Sequence, residues 1–257
     1  MFYSKNPVFS EKSIVKAEVL QENVLYPMRM FEHLYADYTD GIVTGVRLQA
    51  KDTDELLLSP GIIKYQGRLY HMEESACVEF EHNNRMNYLK IRFDNGERTS
   101  DGELFHTQVL LTSEEACFPY EMELGRFFTE AGAQLIDHAH HFEDFFIEHN
   151  HIDVRHVPYS ARTEATISPE ITVAFARDML QKQEKGEADI CFCMQCLRKE
   201  PVDREIICAY ISAKTGRPVA KMNNAQMCEA LLSILKKGRT MVAERQTFRE
   251  RRSIIVD

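Results

Sequence analysis

The sequence predicts an α+β protein, with an N-terminal antiparallel β-sandwich-like domain followed by a small helical domain. Three observations carry that reading. Thr39 to Tyr70 is a run of short apolar segments punctuated by Gly41, Gly45, Pro60-Gly61 and Gly67. Leu89, Ile91 and Phe93 alternate with Lys90 and Arg92, the period of a half-buried strand. From Ser168 onward the apolar residues recur at helical spacing between glycines at 186, 216 and 238.

Pro27 to Tyr38 is expected to form a short helix, with Met28, Phe31 and Tyr35 on one face. Strands are expected over Ile42 to Leu48, where β-branched residues dominate, over Leu56 to Leu58, and over Ile62 to Tyr65. Pro60-Gly61 separates the last two, and Gly67 marks a turn before Leu69 and Tyr70. After the alternating strand at Leu89, Asn95-Gly96 supplies residues that tolerate positive φ, and Leu104 to Leu111 is the expected return strand.

Residues 120–156 support two readings. One is a continuous helix with Leu124, Phe128, Ala131, Leu135, His138, Phe142, Phe145 and His149 on a seam, which Gly125 and Gly132 weaken. The other, preferred because it continues the meander, is a strand over Met122 to Thr129, a turn at Glu130 to Ala133, and a short helix over Asp137 to Phe146.

Ser168-Pro169-Glu170 reads as a helix start, with a hydroxyl cap, proline in the first turn and a carboxylate at the positive end of the dipole. That helix should end before Gly186. Further helices are expected from Ala188 to Leu197, from Pro201 to Gly216, and after Asn224 as far as Gly238. Tyr159 to Arg162 is the expected boundary, dividing the chain into a β-rich part at 1–158 and a helical part at 159–257.

The net charge of −9 is unevenly placed: residues 1–150 carry 13 Lys+Arg against 26 Asp+Glu, and residues 151–257 carry 18 against 14. An acidic half of this kind argues against a phosphate-gripping surface there. The segment Lys236 to Arg252 is locally basic, and a nucleic-acid-binding or regulatory role for it and the helical domain stands as one alternative, against the plainer reading of a solvated end. The N-terminal MFYSKNPVFSEKSIVKAEVL has charges throughout and no continuous apolar core, so neither an export signal nor a membrane span is expected. With 7 cysteines, an odd number, reduced thiols in a cytoplasm are expected rather than a disulfide framework.

Two clusters have residue types suited to chemistry. His138, His140, His141, His149, His151 and His156 are interspersed with Asp137, Glu143, Asp144 and Glu148. Imidazoles and carboxylates at short spacing are the ligands of Zn or a similar divalent ion, and His138, His141, His149 and His151 are the candidate metal ligands. A metal-dependent hydrolase built on them is the second alternative, although HExxH is absent and histidines beside Phe142, Phe145 and Phe146 also read as a polar rim. Cys193-x-x-Cys196 has the spacing of a thiolate pair, but Ile190, Phe192, Met194 and Leu197 around it read as packing. There is no GxSxG, GxGxxG or GxxxxGK[ST] motif, so no catalytic residue and no organic cofactor is assigned.

The stretch Leu25-Tyr26-Pro27-Met28-Arg29-Met30-Phe31-Glu32-His33, the strand Gly41 to Val46, and the sequence Leu56 to Ser59, Pro60-Gly61-Ile62, Gly67-Arg68-Leu69 resemble the N-terminal region of phage-tail baseplate and fibre-adaptor proteins. The type VI secretion baseplate subunit related to phage receptor-binding proteins belongs to that group. Glu123 to Phe127 with Gly132-Ala133 is similar to the strand and turn that follow such modules, and the resemblance covers residues 20–136. It implies a β shell, self-association (commonly as trimers), an adaptor role beside other subunits of a tail-like particle, and a cytoplasmic location before assembly. It implies no catalytic residues. The histidine-rich segment and the helical domain fit no pattern of that group.

Overall fold

The computed structural model describes residues 16–99, 102–219 and 221–250. Met1 to Val15, part of the segment in which no export signal is expected, lies outside them, as do Arg251 and Arg252 of the basic tail.

The first helix, α1 (Ala17–Leu34), is 18 residues long and contains Pro27 in its interior. The helix expected over Pro27 to Tyr38, from the shared face of Met28, Phe31 and Tyr35, begins ten residues earlier and ends at Leu34. The chain is already helical before Pro27, where Ala17, Glu18, Leu20, Gln21 and Glu22 are good helix formers.

Among the described residues eleven strands follow: β1 (Gly41–Gly45), β2 (Leu48–Ala50), β3 (Glu55–Leu58), β4 (Gly61–Tyr65), β5 (Arg68–Met72), β6 (Ala76–Glu79), β7 (Met86–Phe93), β8 (Glu97–Thr99), β9 (Gly102–Leu104), β10 (Thr107–Thr112) and β11 (Glu121–Phe128). They form three three-stranded antiparallel sheets, ordered β1-β4-β5, β2-β3-β6 and β10-β7-β11, and a β8-β9 hairpin. The single strand expected over Ile42 to Leu48 is two, because Gly45 and Val46 both have positive φ (68° and 55°) and turn the chain from one sheet to the next. Gln66 and Gly67 (φ 47° and 77°) make the two-residue turn between β4 and β5, with Tyr65 paired to Arg68.

The preferred reading of residues 120–156 holds for the strand and turn. The helical piece is shorter than expected, a 3-10 segment over Phe142–Phe146. Its start is fixed by Asp144, whose Oδ2 accepts from the backbone N–H groups of His140 and His141 at 2.8 Å. These two donors hold the Asp144 carboxyl below its usual range.

The helical part is α2 (Pro169–Gln181), α3 (Glu187–Cys196), α4 (Arg204–Thr215) and α5 (Asn224–Glu250). Ser168 caps α2 as its sequence suggests, accepting from Glu170 N at 3.2 Å, and Gly216 (φ 70°) closes α4. The α5 helix continues through Gly238, its expected end, to Glu250.

Two apolar clusters result. One joins Ile42, Leu56, Leu58, Leu89, Leu124 and Phe127 of the sheets. The other centres on Phe175, whose ring meets Phe142, Phe192 and Tyr210 edge-on at 5.3, 5.8 and 5.9 Å. The chain crosses between them more than once: Leu135 lies in the sheet cluster, Phe142 and Phe145 in the helical one, and Ile152 and Val157 in the sheet cluster again. The expected boundary at Tyr159 to Arg162 is itself pinned to β1. Ile42 N donates to Pro158 O and Ser160 N to Ile42 O, both at 2.9 Å. A Cβ on Gly41 (φ 147°) would stand 2.7 Å from Ser160 N, so only glycine allows this approach.

Candidate functional site

The residues with most bearing on function lie in three places: the exposed α1 with its anchor, the histidine-rich crossing, and a cleft between the sheets and α2.

No residue of α1 is buried. Ala17, Leu20, Val24, Pro27, Phe31 and Leu34 recur at alternating three- and four-residue spacing, the a/d seam of a coiled coil, and Met28 and Met30 flank it. Leu20, Val24, Phe31 and Leu34 are 53–65% exposed, a continuous apolar stripe in solvent. The carboxyl end of the helix is nevertheless fixed. Lys64 of β4, 5% exposed, donates from Nζ to the carbonyls of Tyr35 (2.5 Å), Ala36 (3.0 Å) and Tyr38 (2.6 Å). A buried ammonium needs such acceptors, and these carbonyls belong to the turn just past the end of α1. The sequence signal for this clamp is a lysine inside the apolar strand Gly61–Tyr65.

On β7, the central strand of its sheet, a second buried lysine is paired with acid. Lys90 Nζ lies 2.7 Å from Glu121 Oε2, and Arg92 Nη2 lies 2.6 Å from Glu121 Oε1. Cys117 N donates to the same carboxylate at 3.0 Å. Burial raises the Glu121 pKa, but Lys90, Cys117 N–H and Arg92 outweigh it and bring the value down to about 2.

Three of the four predicted metal ligands pair with separate carboxylates. His138 Nδ1 pairs with Asp137 Oδ1, His141 Nδ1 with Asp178 Oδ1, and His149 Nδ1 with Glu130 Oε1, each at 3.1 Å. His151 is 2% exposed and lies against Phe145 in the interior. Among the described residues no group of three or more His, Cys, Asp and Glu side chains is placed to share one ion. His141 has a structural task. Its partner Asp178 also accepts from Phe142 N at 2.8 Å, tying the 3-10 segment to α2. Burial lowers the pKa of both His151 and His156.

Cys193 and Cys196 lie on the buried face of α3, as the packing reading expects, and Cys228 of α5 joins the same cluster. Burial raises the Cys193 thiol to about 11 and those of Cys196 and Cys228 to about 12. Such thiols are poor thiolate donors. Close by, the buried Asp189 accepts from Tyr210 Oη at 2.7 Å and pairs with Lys214 at 2.9 Å, while Tyr210 stacks on Phe192 at 4.2 Å.

The cleft has a volume of about 370 Å³ and lies between Val46, Arg47 and Leu48 on one side and Ser168 to Arg177 of α2 on the other. His151, Phe145 and Tyr159 also line it.

No described helix is long and apolar enough to cross a membrane. No family model matches this chain, and no curated protein matches it. Solved structures similar to it include the following. A crystal structure of TssK aligns with TM-score 0.42 at 10% identity, over 90% of this chain and 71% of that one. The type VI secretion TssK-TssF-TssG baseplate subcomplex aligns with TM-score 0.43 at 8% identity, over 92% and 99%. TssK from the EAEC type VI system, in complex with nanobody nb18, aligns with TM-score 0.46 at 9% identity, over 85% and 96%.

Proposed function

We propose that this chain is a structural subunit or adaptor of a phage-tail-like assembly, which self-associates through its N-terminal β unit and engages a further subunit through its helical unit. The observation that carries the reading is the heptad stripe of α1, solvent-exposed along its length yet fixed to β4 by Lys64. A seam of this kind is stable when its knobs enter the holes of another helix of the same pattern, and a second copy of the chain supplies one. The stripe lies in the part of the sequence that resembles baseplate and fibre-adaptor proteins, and the clamp gives it a fixed direction relative to the sheets. A helix on a flexible tether would lack that direction.

The e and g positions beside the seam, Gln21, Met28, Asn23 and Met30, carry no charge, so copies meet without like-charge repulsion. The uncharged flank also widens the apolar face, which suits more than two helices, and a trimer is the state we propose. TssK is named together with TssF and TssG in one of the similar structures. Subunits of that kind are the partners proposed for this chain.

Co-expression with the baseplate, tube and sheath proteins encoded beside its gene tests the reading. Stoichiometric co-purification with a baseplate subunit, lost on deletion of residues 159–257, is the expected result. Failure to retain any of these proteins, or the absence of such genes from the neighbourhood, argues against it.

A further inference from the structure

The cleft between the sheets and α2 has features that packing alone leaves unexplained. His151 is 2% exposed and lines it, and neither ring nitrogen has a hydrogen-bond partner in the protein. Backbone groups of His138 and Ile152 are near enough to oppose part of the burial effect on this ring, but neither makes a hydrogen bond of normal geometry. An imidazole buried without partners is costly, so a position that keeps one facing a cavity suits a polar group from a ligand.

The surrounding side chains define what that ligand is. Leu48, Leu124, Ile152, Val173 and Ala174 give the cleft an apolar middle. Two of its carboxylates are already committed: Asp137 accepts from Ala50 N at 2.9 Å and pairs with His138, and Glu170 pairs with Arg47 at 3.2 Å. Arg177 and Lys199, both exposed, also line the cleft and have no ion pair among the described residues. The uncompensated charge is therefore positive and exposed, while the unpaired hydrogen-bonding group is neutral and internal. A volume of about 370 Å³ is within the range of small-ligand pockets.

We propose that this cleft binds a small hydroxylated carboxylate. The carboxylate meets Arg177 and Lys199 at the mouth, the apolar body lies between Leu48 and Ala174, and the hydroxyl reaches His151. A hydroxyl both donates and accepts, and so matches an imidazole that has one N–H and one lone pair. The proposal concerns a different surface from α1 and does not depend on the assembly reading.

The test uses the full chain and 4-hydroxyphenylacetate as probe, with amide NMR shifts and calorimetry as readouts. The expected result is saturable binding that shifts residues around His151 and Ser168. Phenylacetate, lacking the hydroxyl, should bind about tenfold more weakly, which corresponds to about 1.4 kcal/mol. Arg177→Ala alters an exposed side chain and should weaken binding by a similar factor with the thermal midpoint unchanged. His151→Phe, checked for native near-UV circular dichroism, should abolish the preference for the hydroxylated probe. Shifts that do not saturate by about 10 mM probe, shifts mapping elsewhere, or equal affinity for the two acids would each overturn the proposal.

Discussion

The Nζ of Lys64, on a buried strand, donates to the carbonyl of Tyr35 just past the end of α1, at 2.5 Å. Together with its bonds to Ala36 and Tyr38, this makes one lysine the fixed point between an exposed helix and the sheet behind it. Lys64→Met keeps the length of the side chain and removes the donors. It should cost about 2 kcal/mol, the scale of hydrogen bonds to a charged group. Amide exchange should accelerate in the last turn of α1 while β4 and β5 stay protected. Unchanged exchange in α1 would show that the clamp is not what holds it.

The buried carboxylate of Glu121 makes part of the stability depend on acid. Its pKa is lowered from 4.5 to about 2 on folding, so its contribution is fully present above 4.5 and is lost as pH falls through about 2. A shift of that size corresponds to about 3 kcal/mol. Glu121→Gln should lower stability at pH 7 by roughly that amount and flatten the urea-midpoint curve between pH 4.5 and pH 2. The measurement is urea unfolding across that range, and an identical acid limb in both proteins would contradict the assignment.

Thiol labelling should separate the cysteines by burial. Cys77, Cys117 and Cys191 are exposed, whereas Cys193, Cys196 and Cys228 are buried with thiol pKa values pushed up to about 11 or 12. In native protein a thiol reagent at pH 8 should react promptly with the first three, and with the last three only on unfolding. Rapid native labelling of Cys193 or Cys196 would show a thiolate that packing in α3 does not allow.

The histidine-rich crossing should be indifferent to chelation. His138, His141 and His149 each pair with a separate carboxylate, so no shared ion is needed to hold the segment. EDTA should leave the thermal midpoint where it was. Asp178→Asn should lower it, because the His141 and Phe142 contacts both end on that carboxylate.

Much of this architecture was readable from local chemistry. The alternation at Leu89, Ile91 and Phe93, the Pro60-Gly61 break and the Ser168 cap each placed an element, because each rests on backbone preferences within a few residues. The misplaced ends had causes farther away. Gly238 passes inside α5, where helix on both sides carries the chain through it. Pro27 does not begin α1, because the helix formers before it propagate the helix up to it. The histidines were legible as a cluster in sequence, but His141 and His149 are held by Asp178 and Glu130, and pairings with residues so far along the chain leave no local pattern. Lys64 was not singled out, and His151 was taken for a ligand rather than a buried side chain, because a single polar residue announces burial only once its neighbours are known.

The central claim is that the exposed stripe of α1 is an assembly contact, and light scattering on the eluting full chain tests it most directly. The wild-type protein should elute as a discrete oligomer of the 29.8 kDa chain. The double variant Leu20→Glu, Phe31→Glu should elute as the monomer with native near-UV circular dichroism, since neither side chain is buried within one copy. A wild-type protein that runs as a monomer at micromolar concentration, or a double variant with the wild-type mass, would contradict the account.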